Sequence, residues 1–420
     1  MSRAAAPTTP LVSRSVPIED PGDLVDLMPD PDARAWLHHG DGLVAWGTAA
    51  SVAVGSGPAR VEAAREHLAE AFADIAVDDP LGAPGSGPVA FGSLPFGDTA
   101  GGGVLVIPEV VVGRRGGRAW ATVVAAEGDE RLSDPSCAVE RHAPPVPHDR
   151  VRYSGSSLTE VGWLDAVARA VAEIGDGAYG KVVLARDRVV WTRAAFDPRL
   201  LVRRLAARFP SCFTFSVDGL VGATPELLAR REGRDVTSLV LAGSAPRGDD
   251  PETDAALGAQ LAASRKEAGE HDFAVASVKT ALDGWLPDLH ADAEPWLLRL
   301  DNVQHLATTV HGALTDPSID ALALAGRLHP TAAVCGTPTD AAREAITRLE
   351  GMDRGRYAGP VGWVDARGDG EFGIALRCAE VDGARARLFA GAGIVEGSLP
   401  EAELEETRLK LRAMQSALEG

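Results

Sequence analysis

The segment GWVDARGDGEFGIALRCAEVDGARARLFA, residues 362–390, decides the fold class of this chain. Its residue types are typical of three strands, over residues 362–366, 371–381 and 384–390. Gly368-Asp369-Gly370 and Asp382-Gly383 are the turns between them. Because such short turns join antiparallel strands and not parallel ones, the segment predicts an antiparallel meander.

The region upstream repeats this pattern. Residues 212–217, 220–223 and 227–231 are short strand-like runs, with Asp218-Gly219 as a hairpin turn, and residues 181–191 form a longer run rich in β-branched side chains. Hairpins therefore dominate over β-α-β crossovers. We expect an α+β fold, an α/β sandwich in which antiparallel sheets carry helices on their outer faces.

Composition divides the chain into three parts. Residues 1–20, rich in Ala, Pro, Thr and Ser, predict a flexible amino-terminal arm, and order is expected to begin near Trp36. A polar, proline-rich segment over residues 134–148 is the predicted internal boundary. It separates an amino-terminal part of the fold, residues 21–150, from residues 151–420, which hold most of the candidate chemistry.

Charge and hydropathy exclude several functions. A net charge of −19 over 420 residues argues against nucleic acid as a partner, because phosphate binding needs a basic surface. No apolar run approaches the roughly 18 residues of a membrane span, and residues 1–20 lack a signal-peptide core, so no membrane partner and a cytoplasmic location are expected. The four cysteines show no C-x-x-C spacing and are interpreted as reduced packing residues.

Two distant helices each carry a Glu-x-x-Glu step, Glu267/Glu270 and Glu403/Glu406, and the second is followed by Lys410. At about 100° per residue, Glu403, Glu406 and Lys410 fall within about 60° of one another on the helix. Two such carboxylate edges facing each other would form an oxygen-rich site for a hard cation, and Mg²⁺ is the expected ion.

A simpler interpretation is that acidic residues early in a helix only complement its dipole. The first helix is predicted over residues 253–282, and the second opens at residues 398–401. Glu405 projects away from the Glu403/Glu406 edge, so the second helix is not merely acidic all round. The matching pair on the first helix favours the metal site.

Nine motifs, read together, resemble the chorismate-utilising enzymes, the family of isochorismate, salicylate, anthranilate and aminodeoxychorismate synthases. They occur in the family's order over about residues 150–420: KVVLAR (181–186), GATPELL (222–228), LAGSAPRG (241–248), SRKEAGEH (264–271), LHP (328–330), YAG (357–359), IALRC (374–378), GAGI (391–394) and ETRLK (406–410). The resemblance implies two antiparallel sheets flanked by helices, a Mg²⁺-dependent cleft and chorismate as substrate.

The resemblance also implies an acid and a base. Lys181 matches the general base that takes a proton from water, a role that a lysine with a lowered pKa can fill. Glu226 matches the general acid that protonates the departing ring hydroxyl, which requires a carboxyl kept protonated by its surroundings. The alternatives are a lysine that protects a strand edge and a glutamate that follows Pro225 in a turn.

Metal and substrate ligands follow from the same resemblance. Glu270 and Glu406 match the metal ligands, with Glu267 and Glu403 as partners that bind through water or support these ligands. The residues implied to bind substrate are Arg377 and Tyr357 at the enolpyruvyl carboxylate, Lys410 at a carboxylate, the backbone N–H groups of a Gly391–Gly393 loop, His305 near the ring, and Gly243, Ser244 and Ala333.

The product is inferred from three positions. Lys181 argues against an anthranilate synthase, and Ala242 stands where aminodeoxychorismate synthases carry a nucleophilic lysine. Ala333 stands where salicylate synthases typically carry Thr, so isochorismate is the expected product, although Thr331 lies only two positions away. Salicylate synthase is the alternative enzyme, and a non-catalytic Mg²⁺-dependent binding protein is the alternative of another class.

Partners follow from the same comparison within the family. The chain has no glutamine-hydrolysing domain, and no glutamine amidotransferase subunit is expected. We expect a monomer that acts on the small molecule chorismate. The sequence leaves open whether the product serves menaquinone or siderophore biosynthesis.

Overall fold

Two large β-sheets form the centre of the computed structural model, which describes residues 10–99, 102–301 and 303–420. The strands, numbered in chain order, are β1 (Leu11–Ile18), β2 (Arg34–His38), β3 (Asp41–Trp46), β4 (Ala50–Val54), β5 (Ile75–Asp78), β6 (Val89–Ser93), β7 (Gly103–Ile107), β8 (Val110–Arg115), β9 (Arg118–Ala126), β10 (Arg152–Tyr153), β11 (Lys181–Trp191), β12 (Phe213–Val217), β13 (Leu220–Thr224), β14 (Leu227–Glu232), β15 (Asp235–Pro246), β16 (His290–Ala291), β17 (Trp296–Arg299), β18 (Val303–Ala313), β19 (Gly336–Thr337), β20 (Pro360–Asp365), β21 (Gly370–Ile374), β22 (Cys378–Asp382) and β23 (Arg385–Ile394).

Eight α-helices in the described residues connect or cover these strands. They are α1 (Arg60–Ala73), α2 (Glu160–Gly175), α3 (Pro198–Arg208), α4 (Pro251–Ala263), α5 (Arg265–Leu282), α6 (Ala321–Leu328), α7 (Thr339–Leu349) and α8 (Pro400–Glu419). Several begin with an Asp, Ser or Thr cap, as Asp250 does for α4 and Ser264 for α5, because these side chains accept from unpaired N–H groups of the first turn.

Sheet A has the order β10-β11-β23-β22-β13-β12-β2-β3-β8-β9-β1-β5, with β19 added beside β11. Sheet B has the order β16-β18-β15-β14-β21-β20-β6-β7-β4, with β17 added beside β18. Neighbouring strands are antiparallel except for the parallel pair β1 and β5. The α+β class with two antiparallel sheets is therefore confirmed.

Both sheets run through the predicted boundary at residues 134–148. In sheet A, β2 pairs with β12, and in sheet B, β6 pairs with β20. Residues 21–150 and 151–420 consequently share their sheets.

The main core lies between the inner faces of the sheets. Trp36 of sheet A and Phe91 and Phe372 of sheet B belong to this core, and the Trp36 indole N–H donates to Glu371 at 2.7 Å. A second core lies under α3 and α8 on the outer face of sheet A, with Leu205 among its members. The helices α4, α5 and α6 pack on sheet B. Helices thus cover the outer faces, as expected.

The amino-terminal arm is where the structure first departs from expectation. Residues 11–18 form β1, which pairs with β9 along its whole length, and the first strand therefore begins well before Trp36. The remainder of the expected arm, residues 1–9, lies outside the described residues. Ser13 and Ser15 are buried in the sheet, because pairing partners from a distant part of the chain decide the structure of this polar stretch.

Two predicted elements are each divided in two. The single helix expected over residues 253–282 breaks at Ser264, whose extended backbone ends α4 while its side chain caps α5. The single strand expected over residues 371–381 breaks after Ile374, because β21 belongs to sheet B and β22 to sheet A. In both cases the residue pattern is continuous, although the chain changes direction within it.

The structure also bears on the predictions about membrane spans and cysteines. Within the residues that the structure describes, no helix is long and apolar enough to cross a membrane. All four cysteines are free, and three are buried as expected of packing residues, but Cys137 is exposed.

Candidate active site

The chain passes from one sheet to the other at two neighbouring places. Pro225-Glu226 connects β13 of sheet A with β14 of sheet B, and Leu376-Arg377 lies between β21 of sheet B and β22 of sheet A. The flanking strands pair with each other in both sheets, so these two connections lie side by side. The amide of Ala223 donates to the Arg377 carbonyl at 3.3 Å, and the amide of Ile374 donates to the Glu226 carbonyl at 3.2 Å.

A cleft opens at these connections and is lined by both sheets, by α5 and by α8. The two Glu-x-x-Glu steps face this one cleft, although they lie on different helices. The lining includes thirteen of the fifteen residues that the sequence singled out: Lys181, Glu226, Gly243, Ser244, Glu267, Glu270, His305, Ala333, Arg377, Gly393, Glu403, Glu406 and Lys410.

The other two predicted residues, Tyr357 and Gly391, lie behind this lining. The Gly391 carbonyl accepts from Lys410 Nζ at 3.0 Å, and a Cβ added to Gly391 would lie 3.1 Å from the Tyr357 hydroxyl. Residues 391–393 belong to β23 and pair with β11, whereas the sequence predicted a loop. Gly391 and Gly393 form a strand and not a loop, because a residue without a side chain fits where β23 packs closely against its neighbours.

Three apolar lining residues, Pro225, Leu241 and Leu376, were not predicted from the sequence. Pro225 and Leu376 directly precede Glu226 and Arg377, so adjacency to a predicted polar residue was the available signal. Apolar character alone does not distinguish such residues from the core.

Lys181 is the first residue of β11, and its Nζ donates to Glu270 Oε2 at 3.2 Å. Gly393 lies beside it on β23, where an added Cβ would stand 3.1 Å from Lys181 Cε. The absence of a side chain at Gly393 therefore leaves room for the lysine.

Glu226 is a buried carboxyl at the rim of the same cleft. Burial raises its pKa to about 8, and the positive charges of Arg377, Lys181 and Lys410 only partly oppose this effect. The side chain is therefore protonated at neutral pH and can donate a proton, as a general acid must.

Arg377 adopts a left-handed backbone conformation with φ of 49°, which is uncommon for a residue other than glycine. Such conformations cluster at functional sites, where the surrounding structure holds them in place. Burial lowers the pKa of its guanidinium, although nearby Tyr357 and Glu406 act in the opposite direction. An arginine so placed presents a cation to the cleft.

His305 is neutral in this site, because burial and the nearby Arg377 and Lys410 lower its pKa to about 3. Its Nδ1 lies 2.9 Å from Ser244 Oγ and 3.4 Å from the Gly243 carbonyl. Since a carbonyl only accepts, this contact favours the tautomer with the proton on Nδ1. His305 Nε2 is then an acceptor, and no described group bonds to it.

A bulge in β15 makes the contact with His305. The pairing of β15 with β18 shifts between Ala242 and Ser244, and the intervening Gly243 has φ of 80°. Glycine adopts this conformation without steric cost, which places Ser244 opposite His305 in the ladder.

Lys410 and Glu406 form an ion pair one helical turn apart on α8, with Nζ 2.5 Å from Oε1. Burial would raise the pKa of Glu406, but Lys410 and Arg377 hold it below its ordinary value. Glu405 is exposed and pairs with Arg408, so it points away from the cleft as predicted.

The donor set suits a hard divalent cation, because carboxylate oxygens from Glu267, Glu270, Glu403 and Glu406 line one cleft. The described residues do not, however, include three His, Cys, Asp or Glu side chains close enough together to hold one metal ion. Glu270 and Glu406 contact lysines instead. In their chemistry the residues of the cleft fit Mg²⁺.

Comparisons with known proteins find similar sequences and structures. The family model described as chorismate binding enzyme matches residues 12–419. The isochorismate synthase DhbC of Bacillus subtilis is 38% identical over 344 residues, which cover 79% of this chain and 81% of that protein. The vibriobactin-specific isochorismate synthase of Vibrio cholerae is 40% identical over 242 residues, which cover 56% of this chain and 61% of that protein.

A solved structure shows the same architecture. The menaquinone-specific isochorismate synthase MenF from Escherichia coli superposes with a TM-score of 0.80 at 26% identity, covering 98% of this chain and 95% of that one. The match extends over both sheets, including the amino-terminal part that the sequence motifs did not reach. Because the family model matches nearly the whole chain, this protein belongs to the chorismate-binding enzymes.

Proposed function

We propose that this protein is a Mg²⁺-dependent isochorismate synthase, which moves the hydroxyl of chorismate from C4 to C2. The observation that carries the proposal is that Lys181 and Glu226 open on one cleft together with the cations Arg377 and Lys410. The relatives named isochorismate synthases support the same reaction.

In this reaction a water molecule adds at C2 and the C4 hydroxyl leaves as water. Lys181 takes the proton from the attacking water, and Glu226 gives a proton to the departing hydroxyl. A neutral lysine amine keeps its lone pair for the water while one of its N–H groups donates to Glu270, so the contact at 3.2 Å can hold the base in place. The protonated state of buried Glu226 suits it to the acid role.

The two carboxylates of chorismate require cations. Arg377 can hold one of them through two parallel hydrogen bonds, and Lys410 can contact the other. His305 Nε2, as an acceptor, suits a hydroxyl group of the ring.

Charge supports the metal. With Glu226 protonated and Lys181 in the neutral form that a base requires, the described lining residues comprise four carboxylates and the two cations Arg377 and Lys410, so the cleft carries two net negative charges. A dianionic substrate is unfavourable there without further positive charge. Bound Mg²⁺ would supply this charge and bind a substrate carboxylate, with Glu270 and Glu406 as ligands and Glu267 and Glu403 beside them.

The lining of the cleft supports isochorismate as product. Ala333 is a lining residue, whereas Thr331 is buried with its hydroxyl unbonded among the described residues. An alanine at this place in the lining supports release of isochorismate over pyruvate elimination.

The test is to incubate the protein with chorismate and Mg²⁺ and to separate the products by chromatography. We expect isochorismate, and we expect Lys181→Ala to lower the rate by on the order of 10² to 10⁴ while the fold is retained. Stoichiometric salicylate and pyruvate would instead identify a salicylate synthase. Chorismate that binds without change would identify a binding protein.

A further inference from the structure

A buried ion pair at the end of α7 connects two segments of the cleft. Glu350 is the C-cap residue of α7, and Arg354 follows four residues later. The Glu350 side chain is 1% exposed and the Arg354 side chain is 3% exposed. Arg354 Nε lies 2.9 Å from Glu350 Oε2, and neither residue lines the cleft described above.

The pair bonds to backbone groups of both segments. Arg354 Nη2 donates to the Val183 carbonyl and Nη1 to the Val334 carbonyl, each at 2.8 Å. Glu350 Oε1 accepts from the amide of Ala185 at 2.7 Å. One guanidinium therefore spans from β11 to the segment before β19.

These backbone groups adjoin residues of the site. Val183 is two positions after Lys181 on β11, a distance of about 7 Å along a strand. Val334 directly follows Ala333, and the amide of Val183 also donates to the Cys335 carbonyl at 2.8 Å. The ion pair thus fastens the strand of the base to the segment that carries Ala333.

We propose that Glu350 and Arg354 are positioning residues that set the separation of Lys181 from Ala333, and with it the placement of the substrate ring relative to the base. The inference rests on the proposed function. A buried ion pair contributes little net stability compared with an apolar pair of similar size, so its directional hydrogen bonds are its main effect here.

The test replaces both charges together, as Glu350→Leu with Arg354→Met, because removal of one would leave the other buried and unpaired. We expect a folded protein whose kcat falls on the order of 10²-fold, since displacement by about 1 Å costs that much, while KM changes little. A purely structural role would lower the melting temperature without this change in kcat.

A matched control is available on the same strand. Asp187 of β11 is buried and pairs with Arg387 at 2.7 Å, and among the described residues neither side chain bonds to the segment over residues 331–335. Asp187→Leu with Arg387→Met should give a folded protein whose kcat stays close to that of the wild type. An equal loss of kcat in both double variants would overturn the inference.

A single variant covers the case in which the double variant does not fold. Arg354→Lys keeps the charge beside Glu350 but replaces the planar guanidinium, whose two terminal nitrogens each reach one carbonyl, with a single nitrogen, so kcat should again fall with little change in KM. Unchanged kcat in a folded variant overturns the inference. Because each comparison is with wild-type turnover, salicylate as the wild-type product would contradict the proposed function and leave this test intact.

Discussion

Glu226 and Arg377 lie at adjacent connections through which the chain passes between the two sheets. The strands before and after them pair with one another, so two residues far apart in sequence reach the same cleft. The charge of Arg377 partly offsets the effect of burial on Glu226, yet the pKa of the carboxyl remains raised. The crossing therefore places a protonated carboxyl beside the guanidinium of Arg377.

The alkaline limb of the pH–rate profile should report Glu226. An acid with a pKa of about 8 is protonated below that pH, so activity should fall as pH rises through about 8. Measurement of kcat/KM against pH checks this for the free enzyme. Glu226→Gln should be nearly inactive at every pH, and a wild-type profile that stays flat well above pH 8 would contradict the assignment.

The free energy of unfolding should depend on pH through the same carboxyl, Glu226. The pKa of Glu226 is higher in the folded protein than its ordinary value of 4.5, so the folded state holds the proton more tightly. Its contribution is fully present below about pH 4.5 and is lost as pH rises through about 8. Glu226→Gln should therefore gain melting temperature relative to wild type as pH rises across this window. A difference independent of pH would contradict this expectation.

Gly393→Ala should impair the base by displacing Lys181. The added methyl would lie 3.1 Å from Lys181 Cε, so the lysine has to move by a few tenths of an ångström. We expect kcat to fall on the order of 10-fold. Gly180→Ala is the control, because its added methyl meets only the Thr337 carbonyl at 3.7 Å. Equal kcat in the two variants would show that Lys181 tolerates the methyl.

Turnover should require Mg²⁺, and the Mg²⁺ concentration it needs should depend on Glu270 and Glu406. Chelation should abolish turnover and Mg²⁺ should restore it, because the cleft cannot hold a dianion without added positive charge. Glu270→Gln and Glu406→Gln should each raise the Mg²⁺ concentration needed for half-maximal activity, whereas exposed Glu405→Gln should not. Full activity after rigorous chelation would refute the metal proposal.

Ala333→Thr tests the product assignment. The substitution adds a methyl and a hydroxyl to the lining, and the residues around the ring decide whether it reaches the compact geometry of pyruvate elimination. We expect wild type to release isochorismate, and the variant to form a larger share of salicylate and pyruvate. Quantifying the three products in one time course measures this share. Salicylate from wild type would reverse the assignment.

Local sequence determined much of this fold. The run over residues 181–191 is a strand with those bounds, and the predicted turn at Asp382-Gly383 lies one residue further on, at Gly383-Ala384, because β-branched residues and glycine act over a few neighbouring positions. The spacing of Glu403, Glu406 and Lys410 likewise determined that they share one face of α8, since helical geometry is local.

Only the tertiary structure decided what these elements meet. Residues 11–18 become a strand through β9, and the run over residues 371–381 divides because its halves pair in different sheets. The contacts of Lys181 with Glu270 and of Arg354 with Val334 join positions 89 and 20 residues apart. Long-range pairing and burial, which no local pattern encodes, create the raised pKa of Glu226 and the cleft itself.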